Sequence, residues 1–154
     1  YYFYFVMPDR LFTTRKRLME NLKHRHAYLS DDVEKVLFDV DRKWFCSENP
    51  YYDLPKSIGH GAIISAPHVH AYSLECFRKR LKKPGCRVLD VGSGSGYLTL
   101  CMSLMNGSTG TVIGIDHFEE LIELAKNNIS KAGYDHLLDE HKIKFICFEC
   151  FFYV

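Results

Sequence analysis

Val88-Leu89-Asp90-Val91-Gly92-Ser93-Gly94-Ser95-Gly96, VLDVGSGSG, is the stretch on which the reading of this chain turns. Val88 to Val91 has the length and apolar character of a short strand, and Tyr97 to Met105 follows as a helix without polar alternation. Between them, Gly92, Gly94 and Gly96 let the backbone turn tightly and approach a bound molecule with no Cβ in the way. The same grammar repeats downstream. Thr111 to Ile115 reads as a buried strand ending in Asp116, and Phe118, Leu121, Ile122, Ala125 and Ile129 mark a helix. Lys142 to Phe148 reads as a third strand. Strands alternating with helices predict parallel β-α-β units with right-handed crossovers, an α/β Rossmann-like sheet. In such sheets the loop after the first strand meets a nucleotide-like ligand at the carboxyl edge.

Two acids narrow the ligand. Asp116 ends the second strand, where a carboxylate can accept both hydroxyls of an adenosine ribose. The competing role is a cap for the helix that begins near Phe118. Asp90 stands directly before the turn and makes the pattern D-x-G-x-G-x-G, not the dinucleotide pattern G-x-G-x-x-G. An anion there would repel a pyrophosphate and would suit the amino-acid end or the sulfonium of S-adenosylmethionine. Its competing role is again a helix cap. No Gly-Lys-Ser/Thr follows the turn, so a P-loop is excluded.

Composition sets outer bounds. The 154 residues suffice for one domain with a real core, and 47% hydrophobic with 25% charged residues is ordinary for a globular protein. A formal charge of +1 offers no electrostatic footprint for nucleic acid or a membrane surface. Arg78-Lys79-Arg80, with Lys82 and Lys83, falls where cations suit a helix C-terminus. Four of the six cysteines lie in apolar-patterned segments. Cys147 and Cys150 form one C-x-x-C without a second ligand pair, so no metal site is expected, and the cysteines read as reduced in a cytoplasmic protein. The opening Tyr1 to Val6 is too short for a signal peptide or a membrane span.

The first half predicts helices and one loop. Leu11 to Ala27 is helix-compatible, with Leu11, Leu18 and Leu22 as apolar markers. Ser30 precedes Asp31-Asp32 as a capping side chain, and Val33, Val36, Leu37 and Val40 share a face. Cys46 to Pro55 carries loop signals. Pro67 opens an amphipathic helix in which Ala71, Leu74, Phe77 and Leu81 recur, and Pro84-Gly85 breaks it.

NPYYD (Asn49 to Asp53), ISAPHVHA (Ile64 to Ala71), VLDVGSGSG and VIGIDH (Val112 to His117), in this order and spacing, resemble the protein-L-isoaspartate (D-aspartate) O-methyltransferase family over residues 29 to 146. The resemblance implies methyl transfer from S-adenosylmethionine to the free carboxyl of isoaspartyl and D-aspartyl residues in damaged proteins, by a monomer. An isoaspartyl carboxylate is already ionised near neutral pH, so positioning and partial desolvation matter more than a strong base. The resemblance makes Ser65 the active-site serine. A positioning hydrogen bond suits it better than nucleophilic attack, because no histidine–acid pair is evident in the sequence to activate it. Ala62, Ile63, Ile64 and Ser65 would hold the substrate backbone. Ile64, Ser65, His70, Asp90, Val91, Gly92, Ser93, Gly94, Ser95, Gly96, Asp116, His117 and Glu149 would contact the cofactor. His68 and His70 spell H-x-H, but no third metal ligand accompanies them.

The resemblance divides the chain into a helical, substrate-recognition region (1–86) and the first half of the cofactor-binding core (87–154). The family's Gly-Asp-Gly turn after the third strand is replaced by Phe148-Glu149-Cys150, which keeps an acid and loses both glycines. Only the first three strands of the sheet are present, so the expectation is a truncated form with little activity and a tendency to aggregate. Two alternatives stay open: a non-catalytic module that binds isoaspartyl peptides, and a methyltransferase with a different acceptor.

Overall fold

The computed structural model describes residues 11–107 and 109–148, so the aromatic opening and Glu149 lie outside the described residues. Helix α1 (Arg15–His24) starts at Thr14, whose hydroxyl accepts from the Arg17 amide. It buries Leu18, Met19 and Leu22, whereas Leu11 is exposed and precedes the helix. Helix α2 (Asp31–Asp39) begins after Ser30 and buries Val33, Val36 and Leu37. The Ser30 hydroxyl does not cap it. It donates to Glu75 of a later helix at 2.6 Å, and Asp31, Asp32 and Glu34 suit the positive helix end instead.

A short 3-10 turn (Arg42–Trp44) leads into the expected loop. The chain then forms an antiparallel hairpin that the strand pattern did not announce, β1 (Lys56–Gly59) with β2 (Ala62–Ile64). Its connecting residues His60 and Gly61 have φ of 53° and 72°, the positive pair that a type I′ turn demands. The x-Gly step between two short runs was the available signal.

Helix α3 (Pro67–Leu81) opens on the expected proline and buries Ala71, Leu74 and Leu81. Phe77 departs from the expected stripe and is 56% exposed. Arg78, Lys79 and Arg80 fill the last turn, and Arg78 and Lys82 both pair with Asp32 of α2. Those contacts outweigh the effect of burial and hold the Asp32 carboxyl down at about 2.

The second half follows its predicted grammar: β3 (Arg87–Val91), α4 (Tyr97–Met105), β4 (Thr111–Asp116), α5 (Glu119–Lys131), a short α6 (His136–Asp139) and β5 (Ile143–Cys147). The three strands lie in the order β3-β4-β5 and are all parallel, with Val88 opposite Val112 and Ile113 opposite Lys144. Helix α4 packs between the sheet and helices α2 and α3. That central position explains why it is apolar all round, with Leu100 and Cys101 fully buried. One hydrophobic cluster runs from Leu18 through Leu74 and Leu100 to Ile143, so both halves of the chain share a core. Among the described residues, no helix is long and apolar enough to cross a membrane.

Candidate active site

The glycine turn is set by strand β4. The amides of Gly92 and Ser93 both donate to the Ile115 carbonyl, at 2.9 and 3.0 Å. Gly92, Gly94 and Gly96 have φ of 80°, 50° and 81°, a region that side chains disfavour. Gly96 then starts α4, and a Cβ on it would stand 3.0 Å from the Ala125 Cβ. Gly114 lies beneath the turn, where a Cβ would come within 2.9 Å of Ser93 and 2.6 Å of Phe145. Asn128 of α5 donates to the Ser95 carbonyl from behind.

Neither acid caps a helix. The cap positions of α4 and α5 are Gly96 and Phe118. Asp116 is buried, and its carboxylate accepts from the amides of Gly94 (2.9 Å) and His117 (2.8 Å), which ties the end of β4 to the turn. Asp90 accepts from Thr99 Oγ1 at 2.5 Å. Burial pushes the Asp90 carboxyl above its ordinary range, and the charge of Asp116 adds to this against the Thr99 hydrogen bond. An anion under that load is a ready partner for a cation.

Across from the turn runs the segment after the hairpin. A cleft of about 200 Å³ has Ile63, Ile64, Ser65 and His70 on one wall and Asp90 to Ser95 on the other. Ser93 Oγ is buried there without a hydrogen-bond partner among the described residues. Larger clefts occur elsewhere, one of about 620 Å³ between Trp44 and Asn128, but none of the expected site residues lines it. The small cleft is where the chemistry gathers. Ala62, Gly96, Asp116 and His117 do not line it. Ala62 pairs in the hairpin, Gly96 starts α4, and His117 is largely exposed beside Asp116 and Phe118.

The serine wall is anchored by Asp53, which closes the NPYYD motif but carries no expected role there, and by Arg42, which no motif contains. Asp53 is 1% exposed and its Oδ1 accepts from both the backbone amide and Nδ1 of His68, at 3.0 and 2.8 Å. His68 and Asp53 thus form a histidine–acid pair, but no hydrogen bond links it to the Ser65 hydroxyl among the described residues. The pair serves the first turn of α3, which Ala66 caps with no side-chain bond. Arg42, 3% exposed, donates from Nη2 to the Ser65 carbonyl at 2.7 Å and sits 3.2 Å from His70 Nδ1 through Nη1. Burial, together with the charge of Arg42 and the nearby His68, takes the His70 imidazole down to about 3. His70 is therefore neutral at physiological pH, and its ring lies 4.9 Å from that of Tyr97. Among the described residues, no group of three or more His, Cys, Asp or Glu side chains is placed to hold a metal ion. Cys46, Cys76, Cys86 and Cys101 are thiols, not disulfides.

Comparison with known proteins agrees with this architecture. Residues 13–147 match the family model of protein-L-isoaspartate(D-aspartate) O-methyltransferase. The protein-L-isoaspartate O-methyltransferase of Caenorhabditis elegans is 44% identical over 125 residues, which cover 81% of this chain and 55% of that protein. Protein-L-isoaspartate O-methyltransferase 1 of Arabidopsis thaliana is 44% identical over 127 residues, again 81% of this chain and 55% of the relative. The chain thus spans about half the length of the curated relatives it matches. Among solved structures, a Plasmodium falciparum protein described as a protein-L-isoaspartate O-methyltransferase, in complex with S-adenosyl-L-homocysteine, superposes with a TM-score of 0.81. It is 41% identical, and the match covers 88% of this chain and 63% of that one. The fold is Rossmann-like, of the kind found in S-adenosylmethionine-dependent methyltransferases, and the chain belongs to the protein-L-isoaspartate (D-aspartate) O-methyltransferase family.

Proposed function

We propose that this chain carries the donor and acceptor walls of a protein repair methyltransferase, which moves a methyl group from S-adenosylmethionine to the free carboxyl of isoaspartyl and D-aspartyl residues. One observation carries the reading: a single cleft has the glycine turn on one side and Ile63 to Ser65 with His70 on the other. In this reading residues 1–86 supply the acceptor side and residues 87–154 the donor side, and the protein acts as a cytoplasmic monomer on damaged proteins.

The residues present fit the cofactor. Among the described residues Asp90 is a half-buried carboxylate with no cation paired to it and Ser93 Oγ lacks a hydrogen-bond partner, and Asp116 is fixed at the strand end where a ribose would be read. When bound, S-adenosylmethionine supplies an electrophilic methyl group. The chain's own work is to orient and to exclude water. Ser65 positions the acceptor carboxylate by a hydrogen bond, and the hairpin end at Ala62 to Ile64 holds the acceptor backbone. No base is needed, because the carboxylate arrives ionised. The rate gain comes from holding nucleophile and methyl carbon in line within a partly dry cleft.

The test is transfer of labelled methyl from S-adenosylmethionine to an isoaspartyl peptide, with the aspartyl isomer as control. A base-labile methyl group is expected on the isoaspartyl peptide alone, in low yield, in keeping with the little activity expected from the sequence. Label on neither peptide, or equally on both, would sink the reading.

A further inference from the structure

Arg42 is a buried cation that the reading above leaves without a task. Its two polar contacts are uncharged: the Ser65 carbonyl and His70 Nδ1. Its Nε has no hydrogen-bond partner among the described residues, and the face of the guanidinium lies 5.5 Å from the centre of the Tyr97 ring. Asp53, whose Oδ1 is held by His68, attracts it at longer range, but no carboxylate forms a direct ion pair with it among the described residues. A guanidinium stays protonated in proteins, so the charge cannot be shed by burial. Keeping such a charge buried and unmatched costs stability, and a contact of purely structural purpose could be made by a neutral donor.

Geometry says what the charge faces. Arg42 has no acceptor, so Nη1 must donate to His70 Nδ1. The neutral imidazole then carries its proton on Nε2. Nη2 holds the Ser65 carbonyl, and Ser65 and His70 both line the cleft. The guanidinium therefore stands one hydrogen bond behind the cleft wall. It fixes that wall and presents a positive field to whatever lies against Ser65.

We propose that Arg42 is the positioning and selectivity residue of the acceptor wall: it locks Ser65 and the His70 tautomer, and its unmatched charge makes the cleft favour an ionised carboxyl over the corresponding methyl ester. This rests on the reading of Ser65 as the acceptor side. Methylation removes the acceptor's charge, so the same residue that draws the substrate in loosens its hold on the product.

The test uses the 154-residue chain with S-adenosyl-L-homocysteine present to prevent turnover. An isoaspartyl peptide and its methyl ester are titrated against the unsubstituted chain, Arg42→Lys and Arg42→Met, and the His70 ring nitrogens are followed by NMR. The unsubstituted chain should bind the acid roughly tenfold tighter than the ester, the scale of one charge-assisted contact. Arg42→Met should bring that ratio close to one. Arg42→Lys should keep most of the ratio while shifting the His70 nitrogens, because an ammonium retains the charge and loses the fork. A folded Arg42→Met with an unchanged ratio would overturn the proposal, and so would a His70 protonated on Nδ1 in the unsubstituted chain. Should Arg42→Met not fold, the lysine variant and the unsubstituted chain decide. If the unsubstituted chain binds neither peptide, the functional reading fails and the selectivity claim falls with it; the His70 nitrogens then judge the positioning claim alone.

Discussion

The two walls of the cleft are held by opposite means. The glycine wall is fixed through its backbone: the amides of Gly92, Ser93 and Gly94 are all bound by the end of β4. The serine wall is fixed by two buried charged side chains, Asp53 on His68 and Arg42 on Ser65 and His70. The glycine wall, which the side chains of Asp116 and Asn128 also reach, is above all intolerant of a new Cβ. A wall hung from side chains has the reverse sensitivity. It can be loosened from 15 or 23 residues away without touching the cofactor side.

The comparison can be broken from either side. The largest effect belongs to Gly96→Val, which puts a branched side chain at φ 81° and against Ala125. Left-handed strain and overpacking together should cost about 3 kcal/mol in urea unfolding. A loss under about 1 kcal/mol would show that the turn can be rebuilt with a side chain. Next comes Asp53→Ala, which leaves the His68 amide and ring without their acceptor. It should cost about 2 kcal/mol and raise amide exchange from His68 to Ala71, while β3 and α4 stay protected. Equal loosening of both walls would erase the distinction drawn between them.

Acid offers a graded test of the serine wall. The folded pKa of His70 is depressed, so its contribution to stability is present above the unfolded value of 6.5. It is lost as pH falls from there toward about 3, with a slope of at most about 1.4 kcal/mol per pH unit. In His70→Gln that part of the slope should vanish from a pH series of urea midpoints. The smallest effect lies on the glycine wall. The folded pKa of Asp90 is raised, so its contribution is full below the unfolded value of 3.8 and is lost as pH rises through the folded one. At neutral pH the ionised carboxylate therefore weighs against the unliganded fold. Asp90→Asn should raise the melting temperature slightly, by the equivalent of less than about 1 kcal/mol. It should also weaken S-adenosylmethionine binding by calorimetry. Unchanged affinity would remove Asp90 from the site.

Legibility followed the same divide. VLDVGSGSG could be read directly, because three glycines between a strand and a helix have few uses and their conformations are local properties. Asp90, one residue before the end of β3, and Asp116 at the end of β4 came with it. The hairpin at Lys56 to Ile64 escaped notice because each strand is too short to show alternation, although His60-Gly61 marked its turn. Phe77 obeyed the helical period and still faces outward, since period gives a stripe and not the edge at which neighbours stop covering it.

The sequence by itself determined the strand–helix alternation from β3 to β5, the glycine turn, and the acids at or next to the ends of its flanking strands, all properties of short stretches of backbone. Only the tertiary structure decided what Asp116 and Ser30 do with their side chains, and that Asp53 and Arg42 belong to the site at all. In sequence, Arg42 is one of twenty basic residues, with no pattern to set it apart. Folding buries it behind Ser65, where low polarity turns an ordinary charge into one that the neighbouring wall must feel.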